Sequence, residues 1–193
     1  VMSMNNVGDI INVINKFTQD GEKQLEDQKG KVALNSVFHP VRVPSNTYWG
    51  KNSISVLNTL DLNRIAIITG SSKYAEGITK KVSELVSEDT DYQAFQRPKG
   101  EPIESDIVQL SEKLHQFSPG HIIGIGGGST IDIAKLSWLL YERPDFRLGD
   151  VDGSIIDLKL RQKASFIAVP TIFGSGSEVS SSAAFTKENY YGK

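Results

Sequence analysis

The stretch that most constrains this chain is His121 to Lys135, read as HIIGIGGGSTIDIAK. A short apolar run, Ile122-Ile123-Gly124-Ile125, ends in Gly126, Gly127 and Gly128, after which Ser129 and Thr130 lead into a helical pattern. A buried strand that ends in glycines and opens into a helix N-terminus suits a phosphate. Backbone N–H groups reach the anion without a Cβ in the way, and the first-turn N–H groups and the helix dipole favour negative charge. The plainer alternative is a tight strand-to-helix turn with no ligand, but three adjacent glycines exceed what such a turn needs.

The text on either side alternates in the same way. Ile65 to Thr69 is a strongly apolar strand candidate ending at Gly70, and Tyr74 to Val86 is a helix with Ile78, Val82, Leu85 and Val86 at helical spacing. Tyr92 to Gln96 is a further strand, cut off by Pro98, Gly100 and Pro102, and Glu104 to Phe117 is a helix closed by Ser118-Pro119-Gly120. Thr130 to Tyr141 is the helix after the glycines, and Phe166 to Pro170 is another apolar strand. Upstream, Val41 to Val43 is a short strand candidate, and Ser53 to Leu60 a weak helix with Ile54, Leu57 and Leu60 on one face. A short helix near Ser154 to Leu160 is expected within the long connection Pro144 to Lys163.

Strands alternating with helices predict an α/β fold, a Rossmann-like, doubly wound and mostly parallel sheet with flanking helices. Apolar strands without polar alternation are expected where helices cover both faces. Ligands of such folds bind outside the carboxyl ends of the strands. Gly70, Gly126 to Ser129 and Thr171 to Ser177 all follow strand ends directly.

Composition narrows the function classes. The chain of 193 residues has a formal net charge of −2 and no cysteine. The charge balance gives no footprint for nucleic acid or an anionic membrane. Disulfides, thiolate metal sites and Cys nucleophiles are excluded. No apolar run approaches the ~20 residues of a membrane span, and the N-terminus lacks a signal pattern. A soluble cytoplasmic protein is the expected setting.

Residues 1–35 read as an N-terminal extension: a short amphipathic helix around Asp9 to Phe17, then an almost wholly polar linker, Thr18 to Lys31. Residues 36–193 read as one nucleotide-binding domain.

Two familiar phosphate loops do not match. A Walker loop needs a Lys directly after its last glycine, and none is present. Gly124-x-Gly126 begins like a dinucleotide fingerprint, but its third glycine position holds Ser129 and at least two strand–helix units precede it. Glu142 and Asp145 lie at the wrong helix end to serve as the ribose-binding acid. Asp132 is placed in the first helical turn, where the dipole alone favours a carboxylate and a ligand role stands beside it. A second motif, Pro170 to Val179 (PTIFGSGSEV), follows a strand and carries the hydroxyls of Thr171, Ser175 and Ser177 together with Gly174 and Gly176. It suits ribose or phosphate oxygens; the alternative is a flexible serine-rich loop.

GGGSTIDIAK at Gly126 to Lys135, followed about 35 residues later by PTIFGSGSEV, resembles the iron-containing, metal-dependent alcohol dehydrogenases. The resemblance covers roughly Val41 to Lys193, the family's N-terminal nucleotide-binding domain. It implies an oxidoreductase that binds a nicotinamide dinucleotide, NAD or NADP. Gly126, Gly127, Gly128 and Ser129 would take the pyrophosphate. Asp132 would lie near the nicotinamide and substrate end, and Thr171, Ser175 and Ser177 would line the cofactor. Where the family usually carries two threonines and then a third, this chain has Ile172 and Ser175, so one hydroxyl is lost. Lys193 falls where many members place a cofactor-reaching lysine. Members that select NAD often carry an Asp where this chain has Gly70; with Ser71, Ser72 and Lys73 beside it, Gly70 would admit a 2′-phosphate, which favours NADP.

The resemblance also implies a catalytic Fe2+ or Zn2+ bound by an Asp and three His of a helical C-terminal domain, which this chain does not contain. Its three histidines, His39, His115 and His121, lack metal-ligand spacing. The chain is therefore expected to be the cofactor-binding portion of an alcohol dehydrogenase or aldehyde reductase, inactive by itself, with a small alcohol or aldehyde as the full-length substrate. A homodimer is the family default. The alternative is a non-catalytic nucleotide-binding or interaction module.

Overall fold

The computed structural model describes residues 44–70, 72–148 and 158–186, and the statements below concern these. The expected N-terminal helix and linker, the 35/36 boundary and the strand candidate Val41 to Val43 lie outside them, as does most of the short helix expected near Ser154 to Leu160.

The alternation read from the sequence is the alternation of the fold. A 3-10 helix, Ser53–Thr59, precedes β1 (Arg64–Thr69), α1 (Lys73–Leu85), β2 (Asp91–Gln96), α2 (Glu104–Phe117), β3 (His121–Gly126), α3 (Gly128–Glu142) and β4 (Ser165–Pro170). All strand pairs are parallel, in the order β2-β1-β3-β4. A parallel pair needs a crossover, and each of the three here carries a helix among the described residues. The fold is α/β and Rossmann-like. No helix among the described residues is long and apolar enough to cross a membrane.

Helices cover both sheet faces, which explains why β1 and β3 are apolar without alternation. Ala66, Ile68 and Ile122 point towards Ile107 and Leu114 of α2 and Ile133 and Ala134 of α3. Their strand neighbours Ile65, Ile67, Ile123 and Ile125 point the other way, towards Val82 of α1 and Leu57 of the 3-10 helix. All four of those isoleucines are fully buried, and each such side chain contributes about 1.5–3 kcal/mol relative to exposure. The edge strand β2 is different: only Phe95 is buried.

Helix α3 is the central helix. Trp138 stacks on Phe166 of β4 with ring centroids 5.2 Å apart and donates its indole N–H to the Ala164 carbonyl at 3.0 Å. At its C-terminal end, the Glu142 carboxylate accepts the backbone N–H groups of Gln162 at 2.9 Å, Lys163 at 3.0 Å and Ala164 at 2.7 Å. These bonds set the start of β4.

Two expectations need correction. The helix after the glycines begins at Gly128, not Thr130, because Thr130 and Ile131 both donate to the Gly127 carbonyl at 3.0 Å. Asp132 is thereby moved out of the first turn, and the dipole explanation for it falls away. Leu60 does not join Leu57 in the core: the 3-10 helix stops at Thr59, Leu60 takes extended backbone, and its side chain is exposed.

Candidate functional site

The chain runs from β1 outward to β2, then crosses back past β1 to β3 and on to β4. The direction of winding reverses between β1 and β3, and the crevice outside their carboxyl ends is where such a sheet binds ligands. Gly70 directly follows β1 and Gly126 ends β3, so two of the expected site segments flank that crevice.

The glycine turn is closed by its neighbours. A Cβ on Gly126 would lie 2.6 Å from the Thr130 Cβ, and one on Gly128 would lie 2.9 Å from the Ser175 Cβ. The missing side chains therefore let the first turn of α3 and the loop after β4 close on the strand end. Gly127 is the N-cap and no side chain caps the helix. With Thr130 and Ile131 turned to the Gly127 carbonyl, the N–H groups of Gly128 and Ser129 have no acceptor within the helix. They are the donors an anion would meet, aided by the helix dipole.

The second motif meets the first. Thr171 donates its N–H to the Gly126 carbonyl at 2.9 Å, continuing the pairing with β3 one residue past the end of β4. Ser175 Oγ and Ser177 Oγ each fall 3.3 Å from the Cβ position of Gly128. Ser177 is buried, whereas Ile172 and Phe173 at the loop tip are exposed. The fold thus brings Gly126, Gly127, Gly128, Ser129, Thr171, Ser175 and Ser177 together. Gly70 joins them through Thr130, whose Oγ1 would lie 3.5 Å from a Cβ at that position. Ser71 and Lys193 lie outside the described residues.

Asp132 faces another way. Its Oδ2 accepts the Ala184 N–H at 3.3 Å, and its Oδ1 is buried without a hydrogen bond, 3.9 Å from the Lys135 ammonium. Lys135 donates to the carbonyls of Ser180 at 3.0 Å and Ser182 at 2.8 Å. Burial pushes the Lys135 ammonium below its ordinary range, while the Asp132 and Glu178 carboxylates oppose the shift. Glu178 Oε2 is likewise buried without a hydrogen bond. Lys135 and Asp132 thus tie α3 to the segment that follows PTIFGSGSEV.

Two side chains at the crevice were not singled out by sequence: Thr130, in the wall between Gly126 and Gly70, and Arg97, which donates Nε–H to Thr130 Oγ1 at 3.1 Å. The signal for Arg97 is a cation directly after a strand, which becomes informative only once β2 is known to lie beside β1. Among the described residues no group of three or more His, Cys, Asp or Glu could hold a metal ion. His121 Nδ1 is instead 2.7 Å from Ser165 Oγ, and His115 packs on Tyr141.

Comparison with known proteins agrees with this geometry. Residues 44–192 match the family model described as iron-containing alcohol dehydrogenase. An aldehyde-alcohol dehydrogenase of Streptococcus pneumoniae is 32% identical over 151 residues, which cover 72% of this chain and 17% of that protein. The NADPH-dependent butanol dehydrogenase of Clostridium saccharobutylicum is 30% identical over 146 residues, covering 75% of this chain and 38% of the relative. Among solved structures, the iron-containing alcohol dehydrogenase of Thermococcus thioreducens superposes with a TM-score of 0.63 at 26% identity, covering 74% of this chain and 41% of that one. The chain thus spans under half the length of these relatives. It belongs to the iron-containing alcohol dehydrogenase family.

Proposed function

We propose that this chain is the cofactor-binding portion of an NAD(P)-dependent alcohol dehydrogenase or aldehyde reductase, and that it takes NADP in preference to NAD. The observation that carries the reading is the closure of the Thr171–Ser177 loop onto the glycine turn, beside the crevice between β1 and β3. The cofactor would supply the hydride acceptor or donor for a small alcohol or aldehyde. The residues of this chain bind and orient it. The N–H groups of Gly128 and Ser129 hold the pyrophosphate, with Gly126 and Gly127 leaving the approach open. Thr171, Ser175 and Ser177 hydrogen-bond the adjoining oxygens. Asp132, with Lys135 and Glu178, fixes the segment bordering that loop.

Preference for NADP is supported by Gly70, which places no carboxylate at the end of β1, and by the NADPH dependence of the butanol dehydrogenase relative. Fe2+ or Zn2+ is the metal proposed for the hydride-transfer reaction. The described residues do not fit it, since they offer no group of ligands for a metal ion.

Fluorescence titration of the purified chain with NADPH tests the binding. Weak saturable binding is expected, with no turnover of alcohol or aldehyde when Fe2+ or Zn2+ is added. Turnover by the chain alone would overturn the division of labour proposed here, and absence of binding would overturn the cofactor reading.

A further inference from the structure

We infer that Arg97 is the residue that reads the 2′-phosphate of NADP(H), an inference that rests on the dinucleotide reading above. Arg97 is the first residue after β2, and its N–H donates to the Thr69 carbonyl at 2.9 Å, which fastens it beside the end of β1. Its Nε–H donates to Thr130 Oγ1 at 3.1 Å. That same oxygen would lie 3.5 Å from a Cβ at Gly70. The guanidinium, the first turn of α3 and the end of β1 are therefore contiguous, at the side of the crevice away from β4.

The guanidinium is held ready before any ligand arrives. Nη1 donates to the carbonyls of Pro98 at 3.0 Å and Gly100 at 2.7 Å. Nε and Nη1 are thus committed to neutral acceptors, and no carboxylate pairs with Arg97 among the described residues. Among the described residues Nη2 has no hydrogen-bond partner, and its two N–H donors are offered to an incoming anion. A planar guanidinium with its side chain already ordered loses little freedom on meeting a phosphate, and a charge-assisted pair to a phosphate is among the stronger hydrogen-bonded contacts.

Gly70 completes the argument. Its backbone is not in the left-handed region that favours glycine, and a Cβ there would meet nothing closer than an ordinary contact. Nothing in the fold demands glycine at this position. Its effect is chemical: no carboxylate neutralises Arg97 or repels a phosphate at the end of β1.

The test compares NADPH and NADH affinities of the whole chain and two variants by fluorescence titration, with thermal melts to verify folding. Arg97→Gln is expected to weaken NADPH about 10- to 100-fold while NADH changes less than about twofold. Gly70→Asp, which places a carboxylate beside the guanidinium, is expected to weaken NADPH to a similar degree and to spare NADH. Affinity for NADPH in the unaltered chain is expected to fall more steeply with salt than affinity for NADH. Equal losses for both nucleotides in Arg97→Gln would place Arg97 at the pyrophosphate and overturn the inference, as would unchanged NADPH binding. Should Arg97→Gln fail to fold, Gly70→Asp decides: undiminished NADPH binding overturns the inference. Failure of the unaltered chain to bind either nucleotide overturns the dinucleotide reading, and this inference with it.

Discussion

Gly126 and Thr130 are packed so closely that a Cβ on the glycine would lie 2.6 Å from the threonine Cβ. The end of β3 and the first turn of α3 are thus in contact through a position that accepts only hydrogen. Gly126→Ala is expected to destabilise the chain by about 1–3 kcal/mol through overpacking and to weaken NADPH binding by displacing the turn. Gly77→Ala provides the contrast. Gly77 lies inside α1 with open space where its Cβ would be, so alanine there is expected to stabilise by about 0.5–1 kcal/mol. Urea midpoints of the two variants should move in opposite directions; movement in the same direction would remove Gly126 from its packing role.

The order of elements was legible because apolar runs such as Ile65 to Ile68 and Ile122 to Ile125 are interrupted by glycine and proline at their ends. Both runs became the fully buried centre of the sheet. What periodicity does not encode is strand order. Placing β2 beside β1 brings Arg97 to Thr130, 33 positions away, and no local pattern carries that distance. Nor does composition mark a helix boundary at glycine: Gly127 serves as the N-cap and Gly128 as the first helical residue, because first-turn positions tolerate residues that would weaken a helix interior. The seven hydroxyl and glycine positions from Gly126 to Ser177 belong to two local motifs that sequence displays, whereas the Lys135 contacts with Ser180 and Ser182 depend on the return of the chain 45 and 47 positions later.

Lys135 and Asp132 are coupled within a poorly solvated cluster. Their side chains are only 15% and 14% exposed, with Nζ 3.9 Å from Oδ1. Replacing Lys135 with Met removes the cation facing two carboxylates and the donor to the 180–182 segment. The expected cost is about 3–5 kcal/mol, the range for breaking one partner of a buried pair. In the double variant with Asp132→Asn the loss should be smaller than the sum of the single losses, with a coupling of about 1–3 kcal/mol. Additive losses in urea unfolding would show that the two groups act independently.

Glu142 is a structural carboxylate at the opposite end of α3 from the crevice. It is buried, and its two oxygens accept three successive backbone N–H groups, Gln162 to Ala164. Glutamine at this position presents one acceptor oxygen and an amide that points donors at donors. Glu142→Gln is expected to cost about 1.5–3 kcal/mol, read as a lower denaturant midpoint, while NADPH affinity in the folded variant stays unchanged. A selective loss of nucleotide affinity with normal stability would contradict the structural role.

Tyr141 gives the fold an alkaline limit. Its hydroxyl donates to the Pro119 carbonyl at 3.1 Å, and the side chain is buried. Burial raises the phenol above its ordinary 10.0 and the Glu142 carboxylate adds to the rise, with Arg64 opposing it. Below pH 10.0 the phenol is protonated in both folded and unfolded chains and contributes no pH dependence. Above it the unfolded chain releases the proton while the folded chain retains it, so the unfolded state binds fewer protons and stability falls with rising pH. The decline continues until the folded group also ionises. Tyr141→Phe is expected to lose about 0.5–1.5 kcal/mol at neutral pH with the hydrogen bond, and to lose stability less steeply above pH 10. Urea midpoints for both proteins between pH 8 and pH 11 provide the check. Parallel curves across that range would assign the alkaline decline to other groups.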